Sequence, residues 1–405
     1  QVFEGVTTYP AIVVLERGGQ GGEIAYLALG REMPESLAMD FGQNAGVLPQ
    51  SRLGAGSWQL EADAPADLRA SLARGRKKLK EVYGSPCRGI VTGMNEAFVI
   101  DRATRDRLLA RDPNSAKLLK PFLEGRDLKK WHVESRDSWL IYIPKNRIDI
   151  EEYPAVKAHL LPFRDRLEKR ATKQEWFELQ QAQEAYLEKF NAPKIYYPDI
   201  SQGPKFSYAN NGIFAGNTCY FIPCENDRFL LALLNSKLYW FQLTGQSDAL
   251  RGGVWRLRLF AENVETLPIP DAPDDMRGAI STLAASAQTA AEERHALVRS
   301  FGRRVLTDLA PGGASSKLPA KLADWPALDF KAFHEAVKKH FKHSIPLTER
   351  DDWQALFEKN RRRVIELDAA IARSETQIDA AVYRLFDLTP EQIRLIEETA
   401  GRPPA

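Results

Sequence analysis

Cysteine is scarce in this chain of 405 residues, which holds only Cys87, Cys219 and Cys224. An odd, sparse set in a large chain without a secretory signal argues for a reducing compartment, and the cytoplasm is the expected location. Cys219 and Cys224 have no second pair and no nearby histidine, so their spacing gives no zinc set. Long hydrophobic runs are missing as well. No window approaches the roughly 18 uncharged apolar residues that a membrane helix needs, which excludes a helical membrane protein. Charge of one sign is not in excess either, because 56 Lys and Arg against 54 Asp and Glu leave a formal charge of +2. Any affinity for a polyanion must therefore come from local clusters rather than a global field. Apolar content of 44% with 27% charged residues is what an ordinary soluble globular protein carries, and the length allows two or three cores.

Local clusters of cations are present. Arg69, Arg74, Arg76, Lys77, Lys78 and Lys80 fall in a stretch without an acid, and Lys359, Arg361, Arg362 and Arg363 form a second. Each run also reads as a solvated helix face.

Organisation follows from the apolar spacing. Residues 1–30 read as a hairpin, with strand-like runs at 7–15 and 23–29 across a mobile Gly18–Gly22 turn. Residues 31–57, rich in Gly, Pro and Ser, read as an irregular linker. Leu60, Leu68, Leu72 and Leu79 predict a helical entry over 58–79 with its basic residues on the exposed side. Between 89 and 270 short β-rich runs at 138–144, 194–197 and 218–223 alternate with helical pieces at 155–190 and 227–242, the pattern of an α+β domain. After Pro270 the spacing of Ile280, Leu283, Leu297, Phe301, Val305 and Leu309, and again of Phe357, Val364, Leu367, Ile371, Ile378, Val382 and Leu385, predicts two long helices, 275–309 and 351–398. The fold class is α+β, a mixed β-rich domain followed by a helical subdomain with long helices.

The run GIVTGMNEAFVID at 89–101 reads as strand, tight turn, strand, with a polar tip between apolar flanks. It resembles the GI-TG-N-AF-ID signature of the TaqI-like C-terminal specificity domain. In the same order follow LKPFLEGRDLKKW at 119–131, PKIYYPDIS at 193–201, LLNSKL at 233–238, LPIP at 267–270 and IDAAVYRLFDL at 378–388. Together these segments cover most of the chain from Trp58 to Glu398. The resemblance implies sequence-specific recognition of double-stranded DNA on behalf of an adenine-specific methyltransferase, a type IIG restriction-modification enzyme or a phage-defence enzyme. It makes 58–270 the target recognition domain and 271–405 a helical spacer or docking region. It makes 1–30 the terminal hairpin of an upstream methyltransferase domain, and the start at Gln1 then reads as a fragment whose catalytic domain lies upstream. Partners would be duplex DNA and the upstream methyltransferase domain or subunit, with no membrane.

Catalytic signals are wanting by comparison. Adenine methylation needs a pocket for S-adenosylmethionine and an Asn/Asp-Pro-Pro-Tyr/Phe motif to hold a flipped base, and neither occurs, so that cofactor is expected for the parent enzyme and none for this chain. A metal-dependent nuclease needs an Asp and a Glu/Asp-x-Lys trio. Asp127 with Lys129, and Asp199, satisfy pieces of that pattern, which keeps a nuclease module as an alternative reading. His132, His295, His334, His340 and His343 come without a nucleophile elbow. No catalytic residue and no metal ligand is therefore nominated.

DNA contact requires Arg and Lys for phosphates, polar side chains for base edges and tight turns for backbone approach. Four loops offer that mixture. Thr92 and Asn95 lie at the first turn, where a purely structural role for the Asn is an open alternative. Arg126, Lys129 and Lys130 occupy the second, Ser201 and Lys205 the third, and Arg251, Arg256 and Arg258 the glycine-containing fourth. Trp131, Trp139, Tyr142, Tyr196, Tyr197, Tyr239 and Trp240 alternate with aliphatics, which favours core packing over a base-stacking platform. The remaining alternative is an assembly module whose long helices dock a methyltransferase without touching DNA.

Overall fold

The computed structural model describes residues 13–14, 22–27, 34–53, 63–210, 212–225, 227–250, 256–311 and 317–400. The chain packs as two units, residues 1–277 with 379–405, and residues 278–378. The architecture is α+β, as the alternation of short strands and helices predicts. Among the described residues no helix is long and apolar enough to cross a membrane.

In the first unit the fully buried strand Lys194–Pro198 lies between Ser207–Ala209 and Cys219–Pro223, with Cys87–Arg88 at the far edge, all antiparallel. A strand buried on both faces must be apolar along its whole length, and Ile195, Tyr196 and Tyr197 are each 0% exposed. Lys194 is the exception. Its ammonium donates to Phe190 O at 2.7 Å, and burial pulls its pKa down to about 8. A second sheet orders Phe214–Ala215, Leu119–Leu123, Ser138–Ile141 and Val99–Ile100, the first pair parallel. Phe190 binds the two sheets, stacking on Phe214 at 4.8 Å and tilting against Phe221 at 4.7 Å. A small third sheet joins Asp248–Leu250, Arg256–Arg258 and Ile200–Ser201. The aromatics are core, as their spacing suggests. Trp131, Tyr142, Tyr196, Tyr197, Tyr239 and Trp240 are buried, and Trp139 lies under the Arg105 guanidinium at 4.1 Å. The three thiols are buried and free, and burial pushes all three upward in pKa, that of Cys224 to about 12.

The run 89–101 is not a hairpin. Ile90 and Val91 make single bridges to Gly216 and Gln181, and a one-turn helix, Asn95–Phe98, stands where a second strand is expected. The turn chemistry explains it. Thr92 Oγ1 accepts the Met94 N–H at 3.2 Å and donates to Asn95 Oδ1 at 2.6 Å, while the Ala97 and Phe98 N–H groups both reach Met94 O. Gly93 sits at φ 79°, against the Arg170 side chain, whose guanidinium donates to the carbonyls of Thr92, Leu167, Glu175, Trp176 and Glu178. Gly89 is needed for a different reason. A Cβ there would lie 2.0 Å from Gly216 O, so only hydrogen fits where the two backbones meet.

Other expectations shift for local reasons. Segment 31–57 holds a helix, Leu37–Asn44, started by Ser36 Oγ accepting the Met39 N–H at 3.3 Å, and a strand, Gly46–Pro49. Glu23–Tyr26 pairs with that strand, while the run 7–15 lies outside the described residues except for 13–14. The helix expected over 58–79 is Asp63–Ala73. The chain turns at Gly75 with φ 73°, and Lys77–Lys78 pair with Pro268–Ile269 before a new helix, Leu79–Tyr83. Its cations are not all solvated. Arg69 stacks over Phe241 at 4.2 Å and Arg76 over Phe386 at 4.5 Å. The long terminal helix ends at Leu385, where Asp387 with φ 51° and Pro390 impose a break before Pro390–Ala400. Segment 379–400 returns to the first unit, with the Lys237 N–H on Asp379 at 2.9 Å and the Lys237 ammonium on Glu397 at 2.8 Å.

The second unit is helical. Phe301, Trp325, Phe333 and Phe357 are its centre, with Phe301 and Trp325 4.2 Å apart and Phe333 stacked on Phe357 at 4.9 Å. The interval 311–350 contributes the helix Phe330–Phe341, capped by Asp329 accepting the Ala332 N–H at 2.7 Å. Arg363, from the second basic run, pairs with Glu293 at 2.8 Å.

Two substitutions test this packing. Gly89→Ala forces a carbon against backbone and should cost about 3 kcal/mol, read as a lower urea midpoint at unchanged slope. Phe357→Ala, in a side chain 0% exposed, should cost about 3–5 kcal/mol in the second unit, read by loss of amide protection confined to 278–378.

Candidate functional site

At Pro198 the central strand ends and the chain turns through Asp199 into the third sheet. The corner is fixed by backbone bonds on both sides, Asp199 N–H to Thr218 O at 2.9 Å and Leu259 N–H to Asp199 O at 2.7 Å. Opposite it, Gly125 donates its N–H to Thr218 Oγ1 at 3.0 Å. A Cβ on Gly125 would fall 2.8 Å from Thr218 O, so glycine is what lets the two loops meet. Between the loops opens a cleft of about 410 Å³ lined by Glu124, Arg126, Asp199, Ser201, Gln202, Lys205 and Arg256, among others.

Four of the residues nominated from sequence therefore converge on one cleft: Arg126, Ser201, Lys205 and Arg256. Lys129 stands beside them, donating to Arg126 O at 3.0 Å and lying 3.5 Å from Glu134. Burial lowers the pKa of Lys205, and the nearby charge of Lys129 lowers it further. Arg258 is close enough to act on Asp199 and stacks on Phe260 at 5.4 Å. Lys130 lies 5.7 Å from the Trp131 ring, and Trp131 itself holds φ 74°. Ser201 is 1% exposed and donates its hydroxyl to Gly203 O at 2.6 Å, so it shapes the rim before it offers anything to a ligand. Arg251 lies outside the described residues, as do its neighbours through 255.

The first turn reaches the cleft indirectly. Thr92 is 4% exposed and committed to Asn95. Asn95 Nδ2 donates to Glu124 Oε1 at 3.1 Å, and Glu124 also takes Arg126 at 2.8 Å and Arg136. Beneath them Asp127, 1% exposed, accepts the Glu124 N–H at 2.8 Å and both Nε and a terminal nitrogen of Arg136. Burial alone would raise the Glu124 carboxyl, but hydrogen bonds from Arg136 and Arg126 outweigh it and hold the group below its usual value. The same carboxylates hold Arg136 well above the usual guanidinium value, against the opposing effect of its own burial. With both oxygens of Asp127 occupied, the nuclease reading loses one of its two carboxylates as an open ligand.

Several participants were not nominated from sequence: Glu124, Arg136, Asp199 as a cleft residue, Gln202, and Arg88 on the neighbouring strand. Burial raises the pKa of Asp199, while Arg258 and Arg88 partly offset the rise. The one sequence signal for Asp199 is its place between PKIYYP and the Ser-Gln-Gly turn, where a strand must stop.

Residues 120–269 match the family model of the TaqI-like C-terminal specificity domain, an interval that begins after the 89–101 run. Residues 273–382 match a domain of unknown function, DUF8810. The chain is 27% identical over 210 residues to the type II methyltransferase M.MjaIV of Methanocaldococcus jannaschii, which covers 48% of this chain and 67% of that protein. It is 26% identical over 203 residues to the type II methyltransferase M.BanIII of Aneurinibacillus aneurinilyticus, covering 45% and 34%. It thus spans about two thirds of one curated relative and a third of the other. Among solved structures, the type IIL restriction-modification enzyme MmeI in complex with DNA aligns at a TM-score of 0.39 with 18% identity, over 69% of this chain and 35% of that one. The type IIG restriction endonuclease BpuSI aligns at 0.37 with 12% identity, over 82% and 36%.

The carboxylate clip makes a stability prediction. Arg136→Ala strands the buried Asp127 charge and should cost about 3 kcal/mol by urea unfolding, whereas Arg126→Ala, an exposed pair, should cost under about 1 kcal/mol. Because the Glu124 carboxyl is depressed, its contribution is present above the ordinary glutamate value near 4.3 and lost as pH falls through the folded value. The acid limb of the stability curve should accordingly flatten in Arg136→Ala.

Proposed function

Because residues 120–269 carry a TaqI-like C-terminal specificity domain, we propose that this chain reads a short sequence in double-stranded DNA for a site-specific methyltransferase or restriction-modification enzyme. The observation that supports this most is the cleft. Lys205 and Arg256 face it and, among the described residues, neither is held in an ion pair, so their charges are available to phosphates. Arg126, Lys129, Lys130 and Arg258 extend the cationic rim, and Arg251 precedes Arg256 closely in sequence. Phosphate contacts from these groups set the register, and the polar groups deeper in the cleft meet base edges. Thr92 and Asn95 act from behind, through Glu124.

The reaction served is methylation of adenine N6 by a catalytic domain upstream, which binds S-adenosylmethionine and receives the flipped base. This chain places the duplex. The buried free thiols suit the reducing cytoplasm in which type IIG and other phage-defence enzymes meet incoming DNA.

Selection of the chain on a randomised duplex library at two salt concentrations, followed by sequencing, tests the reading. One short motif that persists at the higher salt is the expected result. Unenriched binding that collapses with salt would sink it. Lys205→Ala and Arg256→Ala should each weaken binding and reduce the salt slope by about 1 if they hold phosphates. No change in both variants would favour an assembly module that does not touch DNA.

A further inference from the structure

We infer that Asp199 is a base-reading group of this cleft, accepting a hydrogen bond from the exocyclic amino group of a cytosine. The inference rests on the DNA-recognition reading above and names which side chain discriminates.

Besides Glu124, which Arg126 and Arg136 neutralise, the charges of the cleft are Arg126, Lys205 and Arg256, which attract phosphate, and the carboxylate of Asp199, which repels it. A ligand that fits both must bring anionic oxygens to Lys205, Arg256 and Arg126, and a hydrogen-bond donor to Asp199. Duplex DNA supplies both, with phosphates bordering the major groove and, inside the groove, cytosine N4 as a donor for which carboxylates are the matching acceptors. The guanine of the same pair presents O6 and N7, the acceptors that an arginine takes in bidentate fashion.

Asp199 is also built for discrimination rather than for attraction. Its backbone is held on both sides, by Thr218 O and by the Leu259 N–H, so the carboxyl group has a fixed origin. These are main-chain bonds, so the corner survives loss of the carboxylate. Asp199 forms no ion pair among the described residues, although Arg258 and Arg88 are near enough to influence it. Glu124, the other acid of the cleft, is by contrast occupied by Arg126, Arg136 and Asn95. Of the two carboxylates, Asp199 has the greater acceptor capacity left for a ligand, since no side chain among the described residues donates to it.

The test is the same library selection run on the full chain with Asp199→Asn, Asp199→Ala and Asp199→Glu, each first checked by thermal melting. The expected result is a change at a single position of the selected motif. Asp199→Ala should lose cytosine preference there by about 10-fold or more, and Asp199→Asn should move the preference towards adenine, whose N6 and N7 an amide matches. Asp199→Glu keeps the charge but displaces it, and should weaken discrimination at that position with overall affinity retained. If the variants select the wild-type motif unchanged, or bind every sequence more tightly by a common factor, Asp199 is only an electrostatic brake and the inference is overturned. A wild-type chain that selects no motif would overturn the functional reading itself, an outcome separate from the first.

Discussion

The buried carboxylate of Asp127 is the constraint on which the site depends. A charge 1% exposed is tolerable only with its hydrogen bonds satisfied, and Arg136 with the Glu124 N–H satisfies them. That requirement fixes the turn from 124 to 127 and draws in the chain at 136. It also delivers Glu124 to the cleft and, through Asn95, ties the 92–98 turn to it. Remove the buried charge and these segments keep only the Arg136–Glu124 and Asn95–Glu124 contacts and main-chain bonds to hold them together.

Above that anchor, the cations divide by commitment. Arg69, Arg76, Arg136, Arg170 and Arg363 are engaged in stacking, carbonyl capture or ion pairs and serve the fold. Among the described residues Lys205 and Arg256 are not so engaged, and they stand at the cleft. A net charge of +2 conceals this division between cations that serve the fold and cations that face the cleft. What remains for a ligand is local, as the composition implies.

Sequence carried the fold class and the long helices because strand alternation and helical apolar spacing are properties of short segments. Local turn chemistry was the weak point. Thr92 and Asn95 make a side-chain turn and open a helix, a preference that the apolar flanks hide in a reading based on alternation alone. Gly75 and Ser36 act similarly, stopping one helix and starting another within stretches that look uniform or irregular. Arg126, Ser201, Lys205 and Arg256 were legible because loops rich in Arg, Lys, Ser and Gly announce themselves. Glu124, Arg136 and Asp199 were not, since their roles arise from pairs separated in sequence, such as Thr218 with Gly125 and Leu259 with Asp199. Trp131 shows the opposite error that composition invites: within a basic, contact-like loop it is a core residue, 1% exposed.

The three buried thiols have a practical meaning. Cys87, Cys219 and Cys224 sit in or beside the strands of the first unit, and each is held in its neutral, unreactive form by burial. Alkylation of the native chain is therefore slow at every cysteine and becomes fast only when the central sheet opens. The chain carries its own internal clock for sheet opening, and a single cysteine introduced at the surface would take a label without competition from the native ones.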